Sequence, residues 1–131
     1  VAAFWEGHPH HERSFERVSR ASKKGSACGA HSLAEIYATL TALPVSTVIE
    51  PGEALFLVEE VSRRLTIVTL TERDYVDTIE RAAGLGHTSG RIYDALLLSC
   101  AGKFGADVIY SWNIKHFASI DPRVAQKVKL P

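Results

Sequence analysis

Two carboxylates stand out by their surroundings. Asp94 falls in the run RIYDALLLSCAGKF, and on a helix its neighbours three and four positions away include Arg91, Leu97 and Leu98, so the carboxylate borders an apolar face. An unpaired carboxylate there takes up a proton unless a bound cation or a nearby arginine compensates it. A structural ion pair with Arg91 is the alternative. Glu35 follows Ser32 at the spacing of a capping box, which would make it structural. Its helical neighbours His31, Ala38, Thr39 and Ala42 are mostly small, however, and leave room for an ion beside it. Ser111 and Asn113 come just after an apolar stretch, where open α/β sheets place ligand sites at the carboxyl ends of strands. A helix cap and a turn explain the same two residues without a ligand. The cluster His8-x-His10-His11 contains imidazoles that could bind a transition metal, although four-coordinate structural sites draw on more than one stretch of chain. Solvated histidines at a helix start are the alternative.

The elements that must position these groups follow from periodicity. Charged residues surround Phe15 and Val18, which predicts a largely exposed helix from Pro9 to about Lys24, stopped by Gly25. Ser26 to Ala30 is small and apolar enough for a short buried strand. Ser32 is expected to cap the next helix, with Leu33, Ile36, Tyr37 and Leu40 as its apolar stripe and Pro44 as its end. Glu50 and Pro51 open the clearest amphipathic helix, carried by Ala54, Leu55, Val58, Val61 and Leu65. The β-branched run from Leu65 to Leu70 predicts a strand covered by helices. Thr71 opens a further helix, with Tyr75, Val76, Ile79, Ala82 and Ala83 inward, and Gly84-x-Gly86 closes it. Arg91 to Phe104 is helical and apolar on most sides, and Gly105 ends it. A short strand at Val108 to Tyr110, a turn at Ser111 to Asn113, a brief helix ending near Phe117 and an edge strand at Val128 to Leu130 complete the pattern. Strands separated by helices favour a parallel α/β sheet. With so few strands evident, a further core strand is expected before Val1.

Bulk properties set the class. A chain of 131 residues, 46% hydrophobic and 23% charged, suits a single globular domain that hides about two thirds of its unfolded surface. No apolar run approaches the roughly 20 residues of a membrane span, and the opening VAAFWEGHPHH carries no secretory pattern. Cys28 and Cys100 lie outside any CxxC or CxxxH cluster and read as free thiols, which suits a reducing cytoplasm. Fifteen basic residues balance fifteen acidic ones. That removes the bulk basicity of many nucleic-acid binders, yet a local basic surface can still carry phosphate contacts.

Three segments in order, AHSLAEIYATL around Glu35, SGRIYDALLLSCA around Asp94 and VIYSWNIKHF around Asn113, resemble the successive signatures of the PIN (PilT N-terminus) domain family, and of its VapC-type toxin ribonucleases in particular. The resemblance covers nearly the whole chain. It implies a three-layer α/β fold with a mainly parallel sheet flanked by helices, formed by residues 1–131 as one PIN-like domain. It also implies a preceding strand bearing an Asp-Thr/Ser-Asn-like motif, so this sequence is expected to begin downstream of the natural start. The implied activity is Mg²⁺- or Mn²⁺-dependent hydrolysis of RNA phosphodiester bonds. Glu35 and Asp94 are the implied metal ligands, with Ser111 and Asn113 orienting water or phosphate. Asn113 stands where many relatives have Asp and offers a neutral carbonyl oxygen instead. Arg91, Lys115 or His116 could contact the RNA backbone. A cognate antitoxin, homodimerisation through apolar residues such as Phe4, Trp5, Tyr37 and Phe56, and a cytoplasmic location are the further family-level expectations. A catalytically impaired PIN-like domain that binds RNA or protein is the alternative.

Overall fold

The computed structural model describes residues 1–43 and 49–131. It divides into two compact units, Val1–Ile67 and Val68–Pro131. Pro44, the expected end of the second helix, lies outside the described residues.

The first unit holds α1 (His11–Ser19), β1 (Ala27–Gly29), α2 (Ala30–Thr41) and α3 (Pro51–Arg64), and ends within β2 (Thr66–Val68), whose last residue begins the second. As expected, α1 is mostly exposed, and Phe15 is more than half open to solvent. β1 and β2 form a two-stranded sheet, entered by a bond from the Thr66 amide to the Ser26 carbonyl. α3 starts with Glu50 as N-cap and Pro51 in its first turn, where a missing N–H costs nothing and the fixed φ suits a helix. α2 departs from expectation. Gly29 is its N-cap and no side chain caps it, so Ser32 lies inside the first turn and makes no capping box with Glu35. The helix follows directly on β1, leaving no residue between strand and helix for Ser32 to act from outside. α2 packs on α3, and Leu40, fully buried, and Ala54 and Val61 form the core of this unit with Ala3.

The second unit holds α4 (Glu72–Gly84), α5 (Arg91–Phe104), β3 (Ile109–Tyr110), α6 (Ile114–Ile120), α7 (Pro122–Ala125) and β4 (Val128–Lys129). Thr71 caps α4 through a full capping box with Asp74. The buried face of α4 is Thr78 and Ala82, whereas Val76 and Ile79 are exposed. The face differs from the predicted one because a hydroxyl takes an interior place. Thr78 Oγ1 donates to the Asp74 carbonyl at 2.7 Å and lies 2.7 Å from Ser99 Oγ on α5. With the threonine proton used, Ser99 is the donor of that second bond, and the buried Thr78 hydroxyl is satisfied. α5 runs over the predicted residues and ends at Gly105, whose φ of 74° is the left-handed value a C-terminal glycine allows. Ala95, Leu96 and Cys100 are its buried residues. β3 pairs with β4 in parallel, Ile109 opposite Val128 and Tyr110 opposite Lys129, so the expected tail strand is real. No helix among the described residues is long and apolar enough to cross a membrane, and neither Cys28 nor Cys100 is in a disulfide among the described residues.

Two stability outcomes follow. Leu40→Ala removes a fully buried side chain and should cost about 2–5 kcal/mol in urea unfolding. Asp74 accepts from Lys103 Nζ at 2.7 Å and from the Thr71 amide at 2.8 Å. The Lys103 bond first, and then Thr71, hold its pKa at about 2. A depressed carboxylate stabilises the fold above its ordinary value of about 3.9 and loses that contribution as pH falls through the folded value. Lys103→Ala should therefore move the acid-unfolding midpoint, followed by circular dichroism, to higher pH. An unchanged midpoint would show that the bridge carries no stability.

Candidate active site

Asp94 sits in the first turn of α5, where the helix dipole favours a negative charge. Gly90 is the N-cap and donates no side chain, and the preceding Ser89 holds a left-handed φ of 56°. The next two residues, Ala95 and Leu96, are buried, and the Asp94 side chain keeps 21% of its exposure. Arg91, one turn earlier, is exposed and makes no ion pair with Asp94 among the described residues. The arginine-paired alternative does not hold, because Arg91 extends into solvent.

The partner comes from α6 instead, which packs on α5 and sets His116 Nδ1 3.6 Å from Asp94 Oδ2. That separation suits an ion pair but is too long for a hydrogen bond. The same Nδ1 lies 2.6 Å from Asn113 Nδ2. If the amide donates, Nδ1 is the acceptor and the ring proton sits on Nε2; if the amide presents its oxygen, Nδ1–H donates. Asn113 occupies the N-cap of α6, yet its side chain caps nothing, being used on His116. Its backbone N–H donates to Ser111 Oγ at 3.0 Å, and the Ser111 amide donates to the Lys129 carbonyl at 3.0 Å. Ser111 thus shapes the turn after β3 rather than capping the helix.

Burial pushes the Asp94 carboxyl above its ordinary range, and His116 pulls it part of the way back. A raised carboxylate favours the fold while protonated and loses that contribution as pH rises through the folded pKa. Ionised Asp94 is therefore held against its own solvation, and a cation or a donor would relieve it.

Glu35 lies on α2 of the first unit and is exposed. One turn earlier, both ring nitrogens of His31 are buried and without a hydrogen-bond partner among the described residues. The structure brings Asp94, Ser111, Asn113 and His116 together within the second unit. From the sequence His116 is expected only as a possible RNA contact. The missed signal was its spacing: three residues after an N-cap Asn, it returns to the same face of α6.

The histidine cluster near the start has local uses. His10 N donates to His8 Nδ1 at 3.1 Å, and His11 Nδ1 lies 3.1 Å from the Ala2 carbonyl with its ring stacked on Phe15. Tyr37 and Phe56 are exposed, and Phe4 and Trp5 are partly buried.

No group of three or more His, Cys, Asp or Glu side chains that could hold a metal ion occurs among the described residues. In the second unit the Asp94 carboxylate, the His116 imidazole, the Asn113 amide and the Ser111 hydroxyl are linked by the contacts above. Of these, the Asp94 carboxylate alone is the kind of ligand that a hard divalent ion keeping several waters takes. Asp94, short of compensation, is the group that gains most.

No curated protein matches the chain. The PIN domain family model matches residues 1–121. PIN domains are α/β folds that generally act as nucleases with divalent metal ions, and the alternation of helices with short strands and the parallel β3–β4 pairing are of that class. With nearly the whole length matched, the chain belongs to the PIN domain family.

Proposed function

We propose that residues 1–131 form a single PIN-like domain that hydrolyses RNA phosphodiester bonds with Mg²⁺ or Mn²⁺, as the toxin of a type II toxin-antitoxin pair. The observation that carries this reading is Asp94: a part-buried carboxylate at a helix start, with one half-exposed imidazole 3.6 Å away. Glu35 is the proposed second acidic ligand, and its exposure leaves it available. A divalent ion bound by Asp94 would supply charge neutralisation at phosphorus and an activated water.

The chain's own groups have separate tasks. The Asp94 carboxylate, in the first turn of α5, has the His116 ring as its charged-group neighbour and keeps part of its surface open to solvent. The Ser111 hydroxyl accepts from the Asn113 amide, so its proton is free to donate to a water or a phosphate oxygen. Asn113 contributes a neutral group where many relatives have Asp, and weaker ion binding follows at that corner. Arg91, at the start of α5, and Lys115, on α6, are both exposed and are the proposed contacts to the RNA backbone. The exposed rings of Tyr37 and Phe56 support a homodimer or antitoxin contact, and a cytoplasmic location goes with that role.

The neutral Asn113 and the lack of a three-ligand cluster among the described residues favour a second reading, in which the domain is catalytically impaired and binds RNA or protein. Variants separate the two. Glu35→Gln and Asp94→Asn should each lower metal-dependent RNA cleavage by about 100-fold or more. Because ionised Asp94 is disfavoured by burial, Asp94→Asn should unfold at the same or a higher temperature at neutral pH. Activity that survives both substitutions would rule out these carboxylates as the centre. RNA binding without any cleavage by the unaltered chain would favour the second reading.

A further inference from the structure

The chain is neutral as a whole, yet its charge is unevenly distributed. Five of its fifteen basic residues, Arg13, Arg17, Arg20, Lys23 and Lys24, fall within residues 13–24, where Glu16 is the single acid. The remainder is acidic, with ten basic residues against fourteen acidic ones. An ordinary solvated face mixes its signs, as α4 does, where Arg73 and Arg81 stand among Glu72, Asp74, Asp77 and Glu80. The three arginines recur at the i, i+4, i+7 spacing that puts them on one side of α1 and its C-cap, and all five basic residues are exposed. Across those arginines the helix rises about 10 Å, close to the Debye length of roughly 8 Å at physiological salt, so their fields add. The two lysines are held in place. The Ser22 carbonyl accepts from the amides of Gly25 and Ser26, and the Lys23 carbonyl accepts from Thr66 Oγ1 at 2.9 Å, which fastens their turn to β2.

We propose that this basic face of the first unit is a second contact for the RNA phosphate backbone, separate from the Asp94 site. The inference rests on the proposed function for its choice of RNA as the ligand. Arginine suits phosphate because its planar guanidinium donates two parallel N–H groups to two oxygens. Arg20 pairs with Glu16 at 2.7 Å, but its side chain is 75% exposed, so the pair is weak and further N–H groups serve a second acceptor. Phe15, the exposed aromatic of α1, is two positions from both Arg13 and Arg17 and therefore lies on the other side of the helix. The face thus offers charge without an apolar anchor. An acidic protein partner or a lipid surface needs apolar contact beside the charge. A phosphate backbone needs none, and it is held without regard to base sequence. Such a contact strengthens association and leaves the bond-breaking step unchanged.

The test is binding of a labelled, mixed-sequence single-stranded RNA to the 131-residue chain, followed by fluorescence anisotropy in EDTA over a range of salt. Three phosphate contacts to a single strand contribute about 2 to the slope of log K against log salt. The combined variant Arg13→Gln, Arg17→Gln, Arg20→Gln should lower that slope by about 2 and weaken binding about 10-fold or more at low salt. Its circular dichroism should be unchanged. Arg13→Lys, Arg17→Lys, Arg20→Lys keeps the charge and should retain the slope. Arg64→Gln with Arg73→Gln, which removes exposed charges that stand among acidic residues, should leave the slope nearly unchanged. An unaltered slope in the glutamine variant, or an equal fall in the Arg64 and Arg73 control, overturns the proposal. So does tighter binding of polyglutamate or of phosphatidylserine vesicles than of RNA. RNA bound with the expected slope but never cut in Mg²⁺ or Mn²⁺ defeats the nuclease reading and leaves the basic face standing. Cleavage together with an unaltered slope does the reverse, and no RNA binding at all defeats both.

Discussion

A carboxylate placed at the edge of an apolar helix face is stable as an anion only if something compensates it. Asp94 meets that constraint in part, with the start of α5 behind it and His116 across from it. The rest of the second unit can be understood as the support for that arrangement. Gly105 ends α5 cleanly, α6 is packed where its third residue faces the carboxylate, and the turn after β3 is closed by Ser111 and Asn113.

Two aspartates on adjacent helices show how environment divides structural from chemical work. Asp74 on α4 receives a lysine ammonium, a backbone amide and shares a capping box, and it titrates well below its ordinary range. Asp94 on α5 has burial as its largest influence and titrates above it. The residue type is the same and both occupy a first turn. What differs is the number of donors within reach, two in one case and a single imidazole in the other. The first carboxylate is spent on holding α4 to α5, while the second retains lone pairs for a ligand.

Much of this was legible in the residues. The limits of α5 and the start of α3 could be read because glycine and proline impose backbone conformations that few other residues share. Asp94 could be singled out because helical periodicity alone puts it beside leucines. Where the reading failed, a tertiary contact had decided the outcome. Ser32 has the composition of a cap, but β1 runs straight into α2 and Gly29 takes that place. Val76 and Ile79 have the composition of a core, but the buried position on α4 went to Thr78, whose hydroxyl found partners on α5. His116 could not be assigned to Asp94 from sequence, since the two are brought together by the packing of α6 on α5.

The parallel register of β3 and β4 reaches further than its two residue pairs suggest. The amide of Ser111 is bonded to the carbonyl of Lys129, so the loop that carries the polar corner is fastened to β4. Fraying of β4 and loosening of that loop are then one cooperative opening, and their backbone amides should exchange with solvent deuterium at a shared rate.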